Sequence, residues 1–147
     1  MTIANRLAGH ARIGIDSTVV IYALEGSSAE ADAASAAFDH MAGGQTHGIL
    51  SILGLIEVLV APARHEGDAL AQRYADELAD LEGLTIAPID RDVAIEAAHI
   101  RASGARLADA IHLGTARSAG ASAFLTNDPG IRPPPGLEVI LLTELLP

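Results

Sequence analysis

The segment Ile13-Gly14-Ile15-Asp16-Ser17-Thr18-Val19-Val20-Ile21-Tyr22 decides how the fold is read. Residues 11–15 form a short β-like run that stops at Asp16. Ser17 is placed to cap an apolar helix over residues 18–24, which Gly26 stops. A strand thus hands over directly to a helix, and an acidic residue stands at the junction.

The same alternation continues downstream. Residues 30–41 are alanine-rich and amphipathic, with Ala34, Ala37, Phe38 and Met41 on one face and Gly43-Gly44 behind them. Residues 47–51 read as a second strand, followed by a strongly apolar helix over 52–60 that Pro62 is expected to break. Leu70, Tyr74, Leu78 and Leu81 mark a helix over 67–81, and residues 84–87 are a third strand. Asp90 caps a helix reaching residue 102, and a further helix covers 107–119, ended by Gly120. Residues 122–125 and 137–142 are the last strands, joined by a stiff, extended connector, Arg132-Pro133-Pro134-Pro135-Gly136.

Strands alternating with helices predict a parallel sheet covered on both faces. The strands are continuous apolar runs, as doubly covered strands should be. The expected fold class is α/β, a three-layer α/β/α sandwich with a central, mostly parallel sheet. A single domain over residues 1–147 accounts for the length, and a chain of this size buries roughly 68–70% of its unfolded surface.

Composition narrows the chemistry. Half of the residues are apolar but only 3% are aromatic, so aliphatic packing must build the core. The absence of cysteine excludes disulfides, thiolate zinc sites and cysteine nucleophiles. The six histidines are scattered, with no paired metal spacing. Residues 1–12 carry polar residues and glycine in place of an apolar run, so no secretory leader is expected. The most hydrophobic stretch, residues 49–61, is too short to span a bilayer and contains Glu57. These features predict a soluble, cytoplasmic protein. The net charge of −10 counts against nucleic-acid binding over the whole surface, although a local arginine strip or bound cations can reverse it at one site.

Four acids stand apart from those on solvated helix faces. Asp16 closes the first strand, Glu57 lies within an apolar helix, Asp109 falls near a helix start, and Asp128 follows a strand. Ligands of open parallel sheets bind outside the carboxyl ends of the strands, where Asp16 and Asp128 are placed. Helices returning to that edge can bring Glu57 and Asp109 to it. Two carboxylates about 4 Å apart at an effective dielectric of about 20 repel by about 4 kcal/mol. Four of them stay ionised together only with a cation, and an all-oxygen donor set suits Mg²⁺ or Mn²⁺ better than zinc.

Each acid also has a plainer role open to it. Asp16 can cap the following helix, and Glu57 can form a buried pair with an arginine such as Arg106. Asp109 can serve the helix dipole, and Asn127-Asp128-Pro129-Gly130 is a good turn in its own right. His112, one turn from Asp109 on the same face, is expected to pack or to support an acid rather than bind metal. Thr126 and Ser17 can hydrogen-bond the acids or merely cap.

Taken in order, these segments resemble the PIN-domain family and, in length and layout, the small VapC-type toxins. The likeness rests on residues 13–22 quoted above and on Ser51 through Glu57-Val58-Leu59. It continues through Arg106-Leu107-Ala108-Asp109-Ala110-Ile111-His112-Leu113-Gly114-Thr115-Ala116 and Phe124-Leu125-Thr126-Asn127-Asp128. The resemblance implies a parallel-sheet nuclease fold binding one or two Mg²⁺ or Mn²⁺ ions. Asp16 and Asp109 would be the principal ligands, completed by Glu57 and Asp128. It further implies endonucleolytic RNA cleavage by a metal-activated water, a homodimer, and neutralisation by a small antitoxin whose tail covers the active-site groove. The family often carries an aromatic a few residues beyond the fourth acid, where this chain has Ile131 and three prolines, which leaves Asn127 as an alternative to Asp128.

Arg12, Arg64, Arg101, Arg106 and Arg132 are the candidate RNA contacts, and solvated or ion-paired arginines are the plainer expectation for most. Exposed apolar stripes on the helices over 30–41 and 70–81 would serve a dimer, whereas a monomer would bury both. Of other classes, a phosphoacceptor receiver domain needs a lysine, and this chain has none. A haloacid-dehalogenase-like phosphatase needs a second acid two residues after Asp16, where Thr18 stands. A catalytically silent binding module acting through a protein partner is the alternative that keeps the same fold.

Overall fold

The computed structural model describes residues 2–65 and 67–146. Its strands are β1 (Arg12–Ile15), β2 (His47–Ser51), β3 (Leu84–Ala87), β4 (Ala123–Thr126) and β5 (Glu138–Leu141). Its helices are α1 (Ile3–Leu7), α2 (Ser17–Glu25), α3 (Ala29–Ala42), α4 (Ile52–His65), α5 (Asp68–Ala79), α6 (Arg91–Ala102) and α7 (Leu107–Ser118), with a closing 3-10 turn at Leu142–Leu145. The strands pair in the order β3-β2-β1-β4-β5, and every pairing is parallel. The expected α/β sandwich is therefore the observed fold, with an entirely parallel sheet.

Alternate residues of the central strands serve opposite faces, as the strand period requires. Ile13 and Ile15 of β1, with Ala123 and Leu125 of β4, join Val19, Val20, Ala34, Ala37 and Met41 in one core. Phe124, from the other face of β4, packs with Ala110, Leu113 and Ala116 of α7. Gly14 explains how closely α7 approaches the sheet. A Cβ at Gly14 would lie 2.5 Å from Ala116 Cβ and 2.6 Å from Phe124 Cδ1. Gly114 performs the same service between helices, since a Cβ there would lie 2.9 Å from the Ala97 nitrogen of α6.

The register sets the functional edge. Ile15 is level with Leu50 of β2 and Leu125 of β4, so the next residues, Asp16, Ser51 and Thr126, emerge side by side. The chain runs outward from β1 through β2 to β3, then returns to place β4 on the other side of β1. The carboxyl ends of β1 and β4 thus flank the reversal of strand order, where ligands of such sheets bind.

Several local expectations are corrected. Pro62 does not end its helix: α4 runs on to His65 with Pro62 buried along with Gly54 and Val58. Packing on that face outweighs the intrinsic helix penalty of proline. The residue at the N-cap of α2 is Asp16, and Ser17 is its first helical residue. The helix expected over 67–81 closes at Ala79, with Asp80 as its C-cap. The last two strands span 123–126 and 138–141, each shifted or trimmed by a residue at its ends. Neither α1 nor the closing 3-10 turn shows a long enough apolar period to be read beforehand. The α3 stripe faces the core, with Ala34, Ala37 and Met41 fully buried and Phe38 partly so. Among the described residues no helix is long and apolar enough to cross a membrane.

Candidate metal centre and active site

Asp16 enters the site on the sheet itself. Its backbone N–H donates to the Leu125 carbonyl at 2.9 Å, extending the β1–β4 ladder by one residue. Although Asp16 is the N-cap residue of α2, its side chain makes no capping bond. Instead Oδ2 accepts from Thr126 Oγ1 at 2.6 Å and Oδ1 from Ser17 Oγ at 3.4 Å. Two hydroxyls orient the carboxylate, and the helix start does not consume it.

Glu57 is carried back to the same edge by α4, which begins where β2 ends. Its Oε1 lies 2.7 Å from His112 Nε2 of α7. The side chain of Glu57 is 40% exposed while that of His112 is 5% exposed, so a buried imidazole holds a carboxylate that faces solvent. This differs from the wholly apolar setting expected of Glu57, because the α4 face around it is open: Ile56 and Val60 are exposed too. On its other side, His112 Nδ1 is 2.8 Å from Ser51 Oγ, which accepts from the Gly54 N–H at 2.9 Å. The backbone start of α4 is thereby linked through Ser51 and His112 to Glu57. Asp16, Glu57 and His112 each offer an atom within 4.8 Å of the others.

Asp109 stands in the first turn of α7, one turn before His112. Its pKa is raised above 3.8, chiefly by burial, then by the Asp128 and Asp16 carboxylates, against opposing effects of His112 and Arg106. The two other acids are close enough to resist its ionisation. Asp128 is exposed beyond β4. Its backbone N–H donates to Thr126 Oγ1 at 3.1 Å, and its Oδ1 accepts from the Gly130 N–H at 2.8 Å. The turn expected of Asn127-Asp128-Pro129-Gly130 is thus formed, using one carboxylate oxygen. Asn127 instead turns toward α2, where Nδ2 donates to the Tyr22 hydroxyl at 3.4 Å, and its buried Oδ1 has no partner.

Among the described residues, none of these four acids forms an ion pair with an arginine, and the pairing of Glu57 with Arg106 does not occur. Carboxylates that crowd one another with no arginine ion pair suit a hard divalent cation, the Arg106 charge offsetting only part of the repulsion at Asp109. Both ring nitrogens of His112 are already engaged, so the free donors are oxygens. The residues present fit Mg²⁺ or Mn²⁺.

His112 supports an acid, as its position one turn from Asp109 predicts, although the acid it holds is Glu57. Ser51 is the site residue missed in the sequence, where it stands only as the terminal residue of a strand.

Residues 13–134 match the PIN domain. The chain belongs to the PIN domain family. No curated protein sequence matches this PIN domain. Solved structures do. A toxin-antitoxin complex from Klebsiella pneumoniae shares 23% identity at a TM-score of 0.67, covering 88% of this chain and 97% of that one. VapBC2 from Rickettsia felis, bound to a DNA fragment from its promoter, gives 14% and 0.70, covering 88% and 98%. DNA-bound VapBC from Salmonella typhimurium gives 16% and 0.69, covering 89% and 98%. At these identities the likeness is one of fold, and it extends over nearly the whole length of each neighbour.

Proposed function

We propose that this PIN domain is a divalent-metal-dependent endoribonuclease, the toxin of a type II toxin-antitoxin pair acting in the cytoplasm. The observation that supports the reading is that Asp16 and Glu57 meet beside His112 while Asp16 and Asp128 lie close enough to Asp109 to resist its ionisation, with no arginine ion pair to any of the four acids among the described residues. In this reading the four acids hold Mg²⁺ or Mn²⁺. Bound there, such an ion polarises a phosphodiester, lowers the pKa of a water and stabilises the leaving oxygen.

The chain's own residues supply position. Thr126 and Ser17 fix the two oxygens of Asp16, and His112 fixes Glu57. Thr126 also receives the Asp128 N–H, so one hydroxyl sets the first acid and the loop of the last. The net reaction is hydrolysis: water oxygen bonds to phosphorus, the bond from phosphorus to the leaving oxygen breaks, and the proton passes to that oxygen. An antitoxin partner is supported by the toxin-antitoxin complexes among the solved neighbours, and a homodimer is proposed on the family likeness.

Purified protein incubated with Mn²⁺ or Mg²⁺ and a panel of structured RNAs tests the reading. Cleavage is expected with wild type, absent with chelator, and reduced at least about 100-fold by Asp16→Asn. Indistinguishable cleavage by wild type and Asp16→Asn would sink the proposal and leave a silent binding module.

A further inference from the structure

Beside the acidic edge lies a groove of about 610 Å³ whose lining includes Asp109 and Asp128. A volume of this kind falls within the roughly 300–1,000 Å³ typical of ligand pockets. The same lining also carries positive charge, because Arg106, Arg117 and Arg132 all belong to it. Three of the nine arginines of a chain with a net charge of −10 therefore gather at one depression, next to the candidate catalytic acids.

These arginines are not equally committed. Arg117 lies 3.5 Å from Glu96. Arg106 and Arg132 are exposed and take part in no ion pair among the described residues, and Arg106 makes no side-chain capping bond at the start of α7. Elsewhere, Arg12 and Arg101 are spent on the Ala119 and Ala105 carbonyls, and Arg6 on Glu138 and Glu144. The connector Pro133, Pro134 and Pro135 also lines it, offering apolar surface but no backbone donor. Among the described residues the lining holds no Phe, Tyr or Trp and one imidazole, His99, so it lacks the row of aromatic faces on which sequence-tolerant single-strand binders rely.

We propose that this groove holds the sugar-phosphate backbone of a single RNA strand next to the scissile phosphate, with Arg106 and Arg132 on successive phosphates. The inference rests on the nuclease reading and deepens it. It resolves the mismatch between an acidic protein and a polyanionic substrate: positive charge is concentrated where the strand leaves the metal centre. Guanidinium forks match phosphate oxygens, and contacts confined to phosphate carry little sequence information.

The test is the affinity of an end-labelled single-stranded RNA for the full chain carrying Asp16→Asn, measured in Mg²⁺ over a series of salt concentrations. Adding Arg106→Gln or Arg132→Gln is expected to weaken binding roughly tenfold each, the size of one charge-assisted hydrogen bond. Each should also flatten the dependence of log K on log salt by about 0.7, the share of one phosphate contact on a single strand. Arg73→Gln on α5, outside the groove, should change neither. In the otherwise wild-type enzyme the double variant should raise KM and spare kcat. Unchanged affinity and slope in both groove variants, with unaltered melting temperature, would overturn the proposal. So would loss of binding to a polyglutamate peptide with RNA affinity intact, which would assign the groove to an acidic protein partner. Failure of wild type to cleave RNA would defeat the nuclease reading and still leave the salt slopes to decide the groove.

Discussion

Asp109 shows what it costs to assemble this edge. Its pKa is raised above 3.8 by burial and by Asp128 and Asp16. A carboxyl whose folded-state pKa lies above its unfolded value stabilises the fold while protonated, and that contribution is lost as pH rises through the folded pKa. Without a cation, ionisation of Asp109 therefore costs the fold stability. Asp109→Asn is expected to raise the melting temperature of the metal-free protein at neutral pH, to leave it little changed under acid conditions, and to shrink the rise that Mn²⁺ produces. Scanning calorimetry reads all three, and a lower neutral melting temperature for the variant would contradict the account. His112 acts one step further back, by holding Glu57. His112→Ala should lower kcat roughly 10–100-fold with KM for RNA nearly unchanged. His112→Gln, whose amide can donate to the same carboxylate, should recover part of the loss, and equal losses in both variants would point to mere misfolding. At this scale Asp16 and Glu57, which the structure brings together, stand out in the sequence because one closes a strand and the other lies among apolar residues. The Ser51–His112–Glu57 chain does not, because its links cross 61 and 55 residues of sequence and depend on register and helix placement.

Elements carry these side chains, and α7 carries two of them. It can deliver Asp109 and His112 to the sheet's edge because β1 presents Gly14 where any side chain would strike Ala116 and Phe124. Gly14→Ala is expected to destabilise the fold by about 1–3 kcal/mol through overpacking. Urea unfolding measures this, and a midpoint equal to wild type would show that α7 has room to move. Element identity was largely readable, since β2 and β3 occupy the segments that their apolar runs and flanking turn residues define. What escaped was decided by tertiary contact. Pro62 is tolerated in α4 because its ring is buried, and α1 is too short for periodicity to reveal. The helix ends shift by a residue or two because side-chain and backbone capping bonds, rather than hydrophobic period, set them.

On the scale of the whole molecule, an all-parallel sheet aligns every strand's carboxyl end on one side, so Asp16 and Glu57 meet beside His112 there, with Asp16 and Asp128 near enough to Asp109 to resist its ionisation. The amino side is tied by different chemistry. Arg6 of α1 bridges Glu138 of β5 and Glu144, and His10 contacts Glu138 at 3.0 Å and Ser122 at 2.7 Å. Charge is thus partitioned among the described residues: arginine-paired acids at one end of the strands, acids without an arginine ion pair at the other, with Arg106 and Arg132 beside them. Sequence alone predicted the layered architecture but not this partition, because net charge averages over surfaces that the fold separates. The central claim is that the unpaired acidic edge is a divalent-cation site. Anomalous diffraction at the manganese edge, from crystals soaked in Mn²⁺, tests it most directly. Density enclosed by oxygens of Asp16, Glu57, Asp109 and Asp128 is expected, and manganese found only on solvated helix acids such as Asp76 and Glu77 would contradict a cation site at this edge.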